Sequence, residues 1–255
     1  MTEPLKVWLD RDGRLLRLRL SRPKANIVDA EMIAALTAAF DKYRADDGLA
    51  GALLDADGPS FSFGASVEEH LPHNAAAMLS ALHALIVKML EWPAPILVAV
   101  KGQCLGGGLE VALAASRIFA SRDARLGQPE IKLAVFAPAA SCLLPYRVNQ
   151  QVAEDLLFSG RALTATDALA AGLVAEVADD PAAAALNYFD AQLADKSAAA
   201  LAYAVRAARG TMLPEVKRRL GEVEKLYLNG LMQTHDANEG LAAFLEKRTP
   251  KWQNR

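Results

Sequence analysis

Two acidic residues stand where a carboxylate could move a proton. In "KGQCLGGGLEVALAASRIFA", residues 101–120, an apolar run enters three glycines, and Glu110 follows in the first turn of an expected helix. Free N–H groups at a helix start attract negative charge, and glycines let a ligand atom reach them with no Cβ in the way. In "ARLGQPEIKLAVFAPAAS", Glu130 follows Pro129, whose ring fixes the local backbone and delivers the carboxylate at a defined place. A third stretch, "FSFGASVEEH" at 61–70, bends through a small-residue knuckle, Gly64-Ala65-Ser66, where a ligand could touch bare backbone before an acidic, helical-looking run. Two carboxylates near two backbone donors make a complete device for moving protons beside a developing oxyanion. Taken singly, each feature also has a plainer reading: a flexible glycine turn, a glutamate favoured by a helix dipole, a solvated loop acid.

Those groups need a scaffold, and the hydrophobic periodicity supplies one. Residues 5–20 read as a hairpin in which "LKVWL" and "LLRLRL" flank the turn "DRDG". From Asp29, an expected N-cap, Ile33, Leu36, Phe40 and Tyr43 fall on one helical face, and "AGALLDA" is a short buried strand. Met78, Leu82, Leu85 and Met89 repeat at helical spacing until Pro93 and Pro95, and "PILVAVKG" then reads as a strand buried on both faces. This order predicts crossover units on a largely parallel sheet wrapped by helices, an α/β fold. Beyond about residue 185 only helical patterns remain, and the alanine-rich stretch 182–208 is expected to be closely packed helix. The length suits a core at 1–185 with a helical section at 186–255, and no internal repeat is visible.

Composition narrows the function classes. The chain is 53% hydrophobic and 23% charged, and its net charge of -2 leaves no excess of positive charge to neutralise a phosphate backbone, so nucleic acid is not an expected partner. Cys104 and Cys142 form neither a CxxC nor a metal-like spacing and are expected to be reduced thiols. The N-terminal stretch interleaves charged and apolar residues, and no uninterrupted apolar run reaches the ~18 residues of a membrane helix, so a cytoplasmic protein with no membrane partner is expected. His70, His73, His83 and His235 make no metal-ligand cluster, so no metal is expected; His70 reads as a capping or surface residue. Ser141-Cys142 has no recognisable base, and neither a GxxxxGK[ST] nor a GxGxxG motif is present.

The blocks "FSFGASVEEH", "PILVAVKGQCLGGGLEVALAASRIFAS", "RLGQPEIKL", "LLFSGRALTATDALAAGLVAEV" and "EGLAAFLEKRTPKW" occur in an order and spacing that resembles the crotonase superfamily, the enoyl-CoA hydratases and their relatives. The likeness covers nearly the whole chain. It implies a crotonase-like spiral of repeated ββα units, with two nearly perpendicular sheets and a C-terminal helical section used in forming a homotrimer or a homohexamer of two trimers. It also implies roles. Ala65 and Gly107 would give the two backbone N–H groups of an oxyanion hole for a thioester, with Gly64 and Gly106 shaping it. Glu110 would hold and activate water, and Glu130 would donate a proton and anchor the water, or the two would share these roles. Coenzyme A, part of the substrate rather than a cofactor, would meet Lys24 and Ala25 of the "RPKAN" loop, and Phe244 and Lys247 of "AFLEKR" from a neighbouring subunit.

Two departures border the acyl end of that implied pocket. Short-chain hydratases usually place aspartate after the knuckle alanine, where this chain has Ser66, and follow the second glutamate with a "PGAGG"-like segment, where it has "VFAPAASCLLP" with Pro138. The combination is similar to the cyclic dienoyl-CoA hydratases of anaerobic aromatic degradation. Hydration of cyclohexa-1,5-diene-1-carbonyl-CoA is therefore the expected reaction. The alternatives are a general 2-enoyl-CoA hydratase and, in another class, a non-catalytic binding or RNA-associated protein of the same fold; the retained glutamates and the lack of a basic tail speak against the latter.

Overall fold

Alternating leucine and arginine produce the first hairpin where the pattern predicts it. In the computed structural model, which describes residues 3–255, β1 (Leu5–Asp10) pairs antiparallel with β2 (Leu15–Leu20). Arg17 and Arg19 on β2 share Asp55, with Arg17 Nη2 at 2.9 Å, and both guanidiniums lie over the ring of Trp8. The Asp29 side chain accepts the N–H of Met32 and starts α1 (Ala30–Tyr43), whose buried stripe is Met32, Ile33, Leu36 and Phe40.

From β2 onward the large sheet is parallel. Strands β3 (Gly51–Ala56) and β4 (Ile96–Val100) follow it, with α2 (Ala75–Leu90) as the crossover between them. All five residues of β4 are buried, as a strand covered on both faces requires. The chain then steps out to a second sheet in β5 (Gln103–Leu105) and turns into α3 (Gly107–Leu113). It repeats the move: β6 (Arg117–Ser121) lies in the large sheet, β7 (Arg125–Gly127) in the small one, and a 3-10 turn at Pro129–Leu133 leads into α4 (Pro138–Leu143). After α5 (Gln150–Ser159), β8 (Ala162–Thr164) completes the small sheet, and α6 (Ala165–Ala170) returns the chain to β9 (Glu176–Ala178). The resulting orders are β1-β2-β3-β4-β6-β9 and β5-β7-β8.

This alternation is the ββα repeat that the family resemblance implies; residue periodicity alone does not show it, because the strands of the small sheet are only three residues long. The knuckle takes part in it. Ser62 bridges to Cys104 of β5, so the chain after β3 makes the same excursion before α2.

The closing run of helices begins before residue 185, but its first helix packs on the sheet. Helix α7 (Pro181–Gln192) spans residue 185 and packs on the sheet, with Phe189 buried against Leu53, Leu97 and Phe119. It therefore belongs to the core. Helix α8 (Ala198–Ala208) corrects the expectation of close packing throughout the alanine-rich stretch, since none of its residues is buried within the chain. Helices α9 (Met212–Asn229) and α10 (His235–Leu245) do pack inward, burying Val216, Leu220, Val223 and Tyr227, and Ala237, Leu241 and Ala243. Buried Arg209 joins the sections: its guanidinium caps α2 through the carbonyls of Met89 and Leu90, 3.3 and 2.7 Å away, and reaches Ser116 Oγ at 3.0 Å. No helix among the described residues is long and apolar enough to cross a membrane.

Candidate active site

The knuckle is drawn tight by the strand beside it. Ser62 N–H donates to Gln103 O, Leu105 N–H donates to Ser62 O, and the Ser62 hydroxyl accepts the N–H of Gly64 at 3.1 Å. Gly64 then turns with φ of +110°, a conformation that a side chain would strain. Across from it the chain leaves β5 through Gly106, at φ of +50°, into Gly107 at the start of α3. The two backbones nearly touch, and a Cβ placed on Gly107 would lie 3.1 Å from Ala65 N and 3.0 Å from Ala65 Cβ. Neither Ala65 N–H nor Gly107 N–H donates to a group of the chain among the described residues. Two adjacent, unengaged N–H groups are the arrangement that an oxyanion receptor needs.

Both glutamates are attached close to this turn in the chain or in space. Glu110 lies on the first turn of α3, buried at 4% exposure, and its Oε1 accepts the Ala140 N–H at 2.8 Å. Pro138 opens α4 and presents that N–H, since the first N–H groups of a helix have no partner within it. The other end of α3 is held by Arg147, whose guanidinium caps the carbonyls of Leu113 and Ala115. Glu130 arrives on the Pro129–Leu133 turn, half-buried rather than solvated, and its Oε1 occupies the space in front of Gly106, 2.6 Å from where a Cβ would stand.

Burial raises the pKa of Glu110 from 4.5 to about 7, opposed by N–H donation from Ala140 and Ala139. Burial also raises Glu130, to about 8, and the neighbouring charge of Glu110 adds to the rise. The carboxyls titrate as a pair. Burial and mutual repulsion thus hold both carboxyls above the ordinary range, and the backbone donors from Ala140 and Ala139 favour the charged form on Glu110.

The other expected residues distribute as follows. Ala25 and Lys24 lie beside the knuckle, because Ala25 O accepts the N–H of Phe63 and Gly64 O accepts that of Val28. Ser66 directs its carbonyl to His70 Nδ1 at 2.7 Å, which corrects the surface reading of His70: the ring is half-buried, and burial lowers its pKa. The run after the knuckle is a single 3-10 turn, Glu68–His70. Phe244, 54% exposed, and Lys247 lie at the outer end of α10, and no hydrogen bond among the described residues ties them to the carboxylates or the knuckle. Two residues escaped the sequence reading. Gln128, 1% exposed, has its amide 3.1 Å from both Glu130 oxygens, placed to donate to them with its nitrogen facing inward. Its signal was available in "GQPE", one residue before the proline. Tyr227 of α9 packs against Phe136 and Val135, and Val135 N–H donates to Glu130 O at 3.3 Å; no local motif marks it.

Known proteins share the fold and the chain length. The protein is 59% identical over 254 residues to the cyclohexa-1,5-dienecarbonyl-CoA hydratase of Thauera aromatica, covering 100% of this chain and 98% of that one. It is 31% identical over 253 residues to the 2,3-dehydroadipyl-CoA hydratase of Escherichia coli K12, covering 97% and 98%. The crystal structure of an enoyl-CoA hydratase/isomerase from Pseudoalteromonas atlantica T6c superposes with a TM-score of 0.86 at 31% identity, covering 98% of this chain and 99% of that one. The profile of the enoyl-CoA hydratase/isomerase family matches residues 10–255, and the chain belongs to that family.

Proposed function

We propose that the protein hydrates cyclohexa-1,5-diene-1-carbonyl-CoA to 6-hydroxycyclohex-1-ene-1-carbonyl-CoA, in the anaerobic breakdown of aromatic compounds by way of benzoyl-CoA. The observation that carries the reaction type is the convergence of Glu110 and Glu130 on the paired N–H groups of Ala65 and Gly107. The choice of acyl group is supported by the full-length identity of 59% to a hydratase named for that substrate.

The thioester oxygen accepts hydrogen bonds from Ala65 and Gly107. Ionised Glu110 removes a proton from water as its oxygen attacks the β carbon, and the electrons move through the dienolate onto the thioester oxygen, where the N–H pair stabilises them. Protonated Glu130 then delivers its proton to the γ carbon on the opposite branch of the ring. The Glu110 proton returns to Glu130 through solvent, leaving one water added and no change in oxidation state. Coenzyme A enters as part of the substrate along Lys24 and Ala25, and no cofactor takes part.

We further infer a cytoplasmic homotrimer or dimer of trimers in which Phe244 and Lys247 complete the coenzyme A site of a neighbouring copy. Large apolar side chains left open on the helical section support this reading, with Tyr203 at 73%, Leu226 at 61% and Phe244 at 54% exposure. The deciding experiment compares purified protein on cyclohexa-1,5-diene-1-carbonyl-CoA and crotonyl-CoA. We expect kcat/KM to favour the cyclic substrate at least ~100-fold, the scale set by pocket shape, with solvent deuterium on the γ carbon. Equal or better use of crotonyl-CoA would overturn the cyclic assignment and leave a general hydratase.

A further inference from the structure

The side chain of Tyr227 is fully buried, at 0% exposure, and its hydroxyl has no hydrogen-bond partner among the described residues. An unpaired buried hydroxyl opposes folding, so its presence calls for an explanation outside the fold. Packing does not supply one. The ring meets Phe136 edge-on at 5.4 Å and shares a cluster with Met78, Leu79, Val135 and Leu241, contacts that a phenylalanine would keep.

Location does. Phe136 belongs to the segment whose Ala140 N–H holds Glu110. The charges that bear on the hydroxyl are those of Glu130 and Glu110, and together with burial they push its pKa up, so it remains a neutral O–H donor across the working range of pH. On the same helix, one turn earlier, the Glu224 carboxylate accepts a hydrogen bond from His83 Nδ1 of α2 at 2.8 Å, which fixes the turn that presents Tyr227. The ring is therefore packed, with an unpaired donor, against the segment whose Val135 N–H donates to Glu130 O at 3.3 Å and whose Ala140 N–H holds Glu110.

We propose that Tyr227 is a positioning residue for the acid of the reaction: in the substrate-filled pocket its O–H donates to one carboxyl oxygen of Glu130, so that the transferable proton resides on the other oxygen, facing the acyl group. This deepens the hydratase reading and depends on it, but not on which acyl group is hydrated, because the same carboxyl serves either substrate.

Tyr227→Phe in the full-length protein tests it, assayed on both the cyclic dienoyl-CoA and crotonyl-CoA. We expect a folded protein with an unchanged or higher Tm, since the unpaired hydroxyl is gone, and a KM close to that of the wild type. The kcat should fall by at least about 10-fold, within the range for acid-base catalysis. The alkaline limb of the pH–rate profile should move up, because a lost donor makes the Glu130 anion harder to form. A wild-type kcat, or an unshifted alkaline limb, would overturn the proposal. A preference of the wild type for crotonyl-CoA would instead overturn the substrate assignment and leave the Tyr227 result to be read on that substrate.

Discussion

Gly106 and Glu130 compete for one place: a Cβ on Gly106 would stand 2.6 Å from Glu130 Oε1. The absent side chain at 106 is thus part of what lets the carboxyl reach the oxyanion receptor. The obstructing atom lies at the end of a flexible side chain, so substitution displaces the acid rather than the backbone. Gly106→Ala should fold with a stability loss of about 1–3 kcal/mol, from its φ of +50°, and should lose at least ~10-fold in kcat from the displaced acid. Thermal melting and steady-state hydration kinetics measure the two effects separately. Full activity in a folded variant would mean that Glu130 has room elsewhere.

Removing the carboxylates themselves should be more damaging. Glu110→Gln and Glu130→Gln keep side-chain volume, so each should still bind acyl-CoA while hydrating it at least ~100-fold more slowly. Calorimetric binding of a saturated acyl-CoA, alongside turnover, checks both halves. Wild-type turnover in either variant would remove that residue from the mechanism.

The receptor can be closed without touching either acid. A Cβ at Gly107 would approach Ala65 N at 3.1 Å and occupy the space in which an oxygen must sit. Gly107→Ala should therefore reduce kcat by ~100-fold or more, the scale for loss of an oxyanion donor. Because the thioester oxygen is engaged most strongly in the transition state, the loss should fall on kcat more than on acyl-CoA affinity, which binding of a saturated analogue reports.

The same pair makes the fold sensitive to alkali. Both glutamates have folded-state pKa values above the ordinary 4.5, at about 7 and about 8, so the folded protein retains protons that the unfolded chain releases. Their contribution to stability is complete below pH 4.5 and is lost as pH rises through the folded values. Denaturant melts between pH 6 and 9 should show wild-type stability falling relative to a Glu110→Gln, Glu130→Gln double variant, by at least about 1 kcal/mol over the window. Parallel curves would indicate that the carboxyls ionise freely in the folded protein.

Much of this site was legible in the residue order because it is built from backbone rules. Three glycines before a helix-starting glutamate, a proline before the second glutamate and a glycine turn at the knuckle each specify local geometry with little help from the rest of the chain. The Asp29 cap and the uniformly apolar β4 are readable for the same reason. The small sheet was not legible from periodicity, since strands of three residues carry too little alternation to register; it and the repeat that aligns Ser62 with Cys104 came only from the likeness to the crotonase superfamily. Tyr227 was hidden for a different reason. It occupies a regular amphipathic position on α9, where an aromatic residue reads as core, and only the packing of distant elements brings it against Val135 and Phe136, between the two glutamates in the chain's hydrogen bonding.

The anchor on Glu110 is a main-chain N–H, that of Ala140. A donor of that kind is indifferent to the side chain borne by its own residue. Exchange of the Ala140 side chain therefore leaves the hydrogen bond to Glu110 available, provided that the helix start at Pro138 survives, so the carboxyl's mooring is insulated from substitution at the very residue that supplies it.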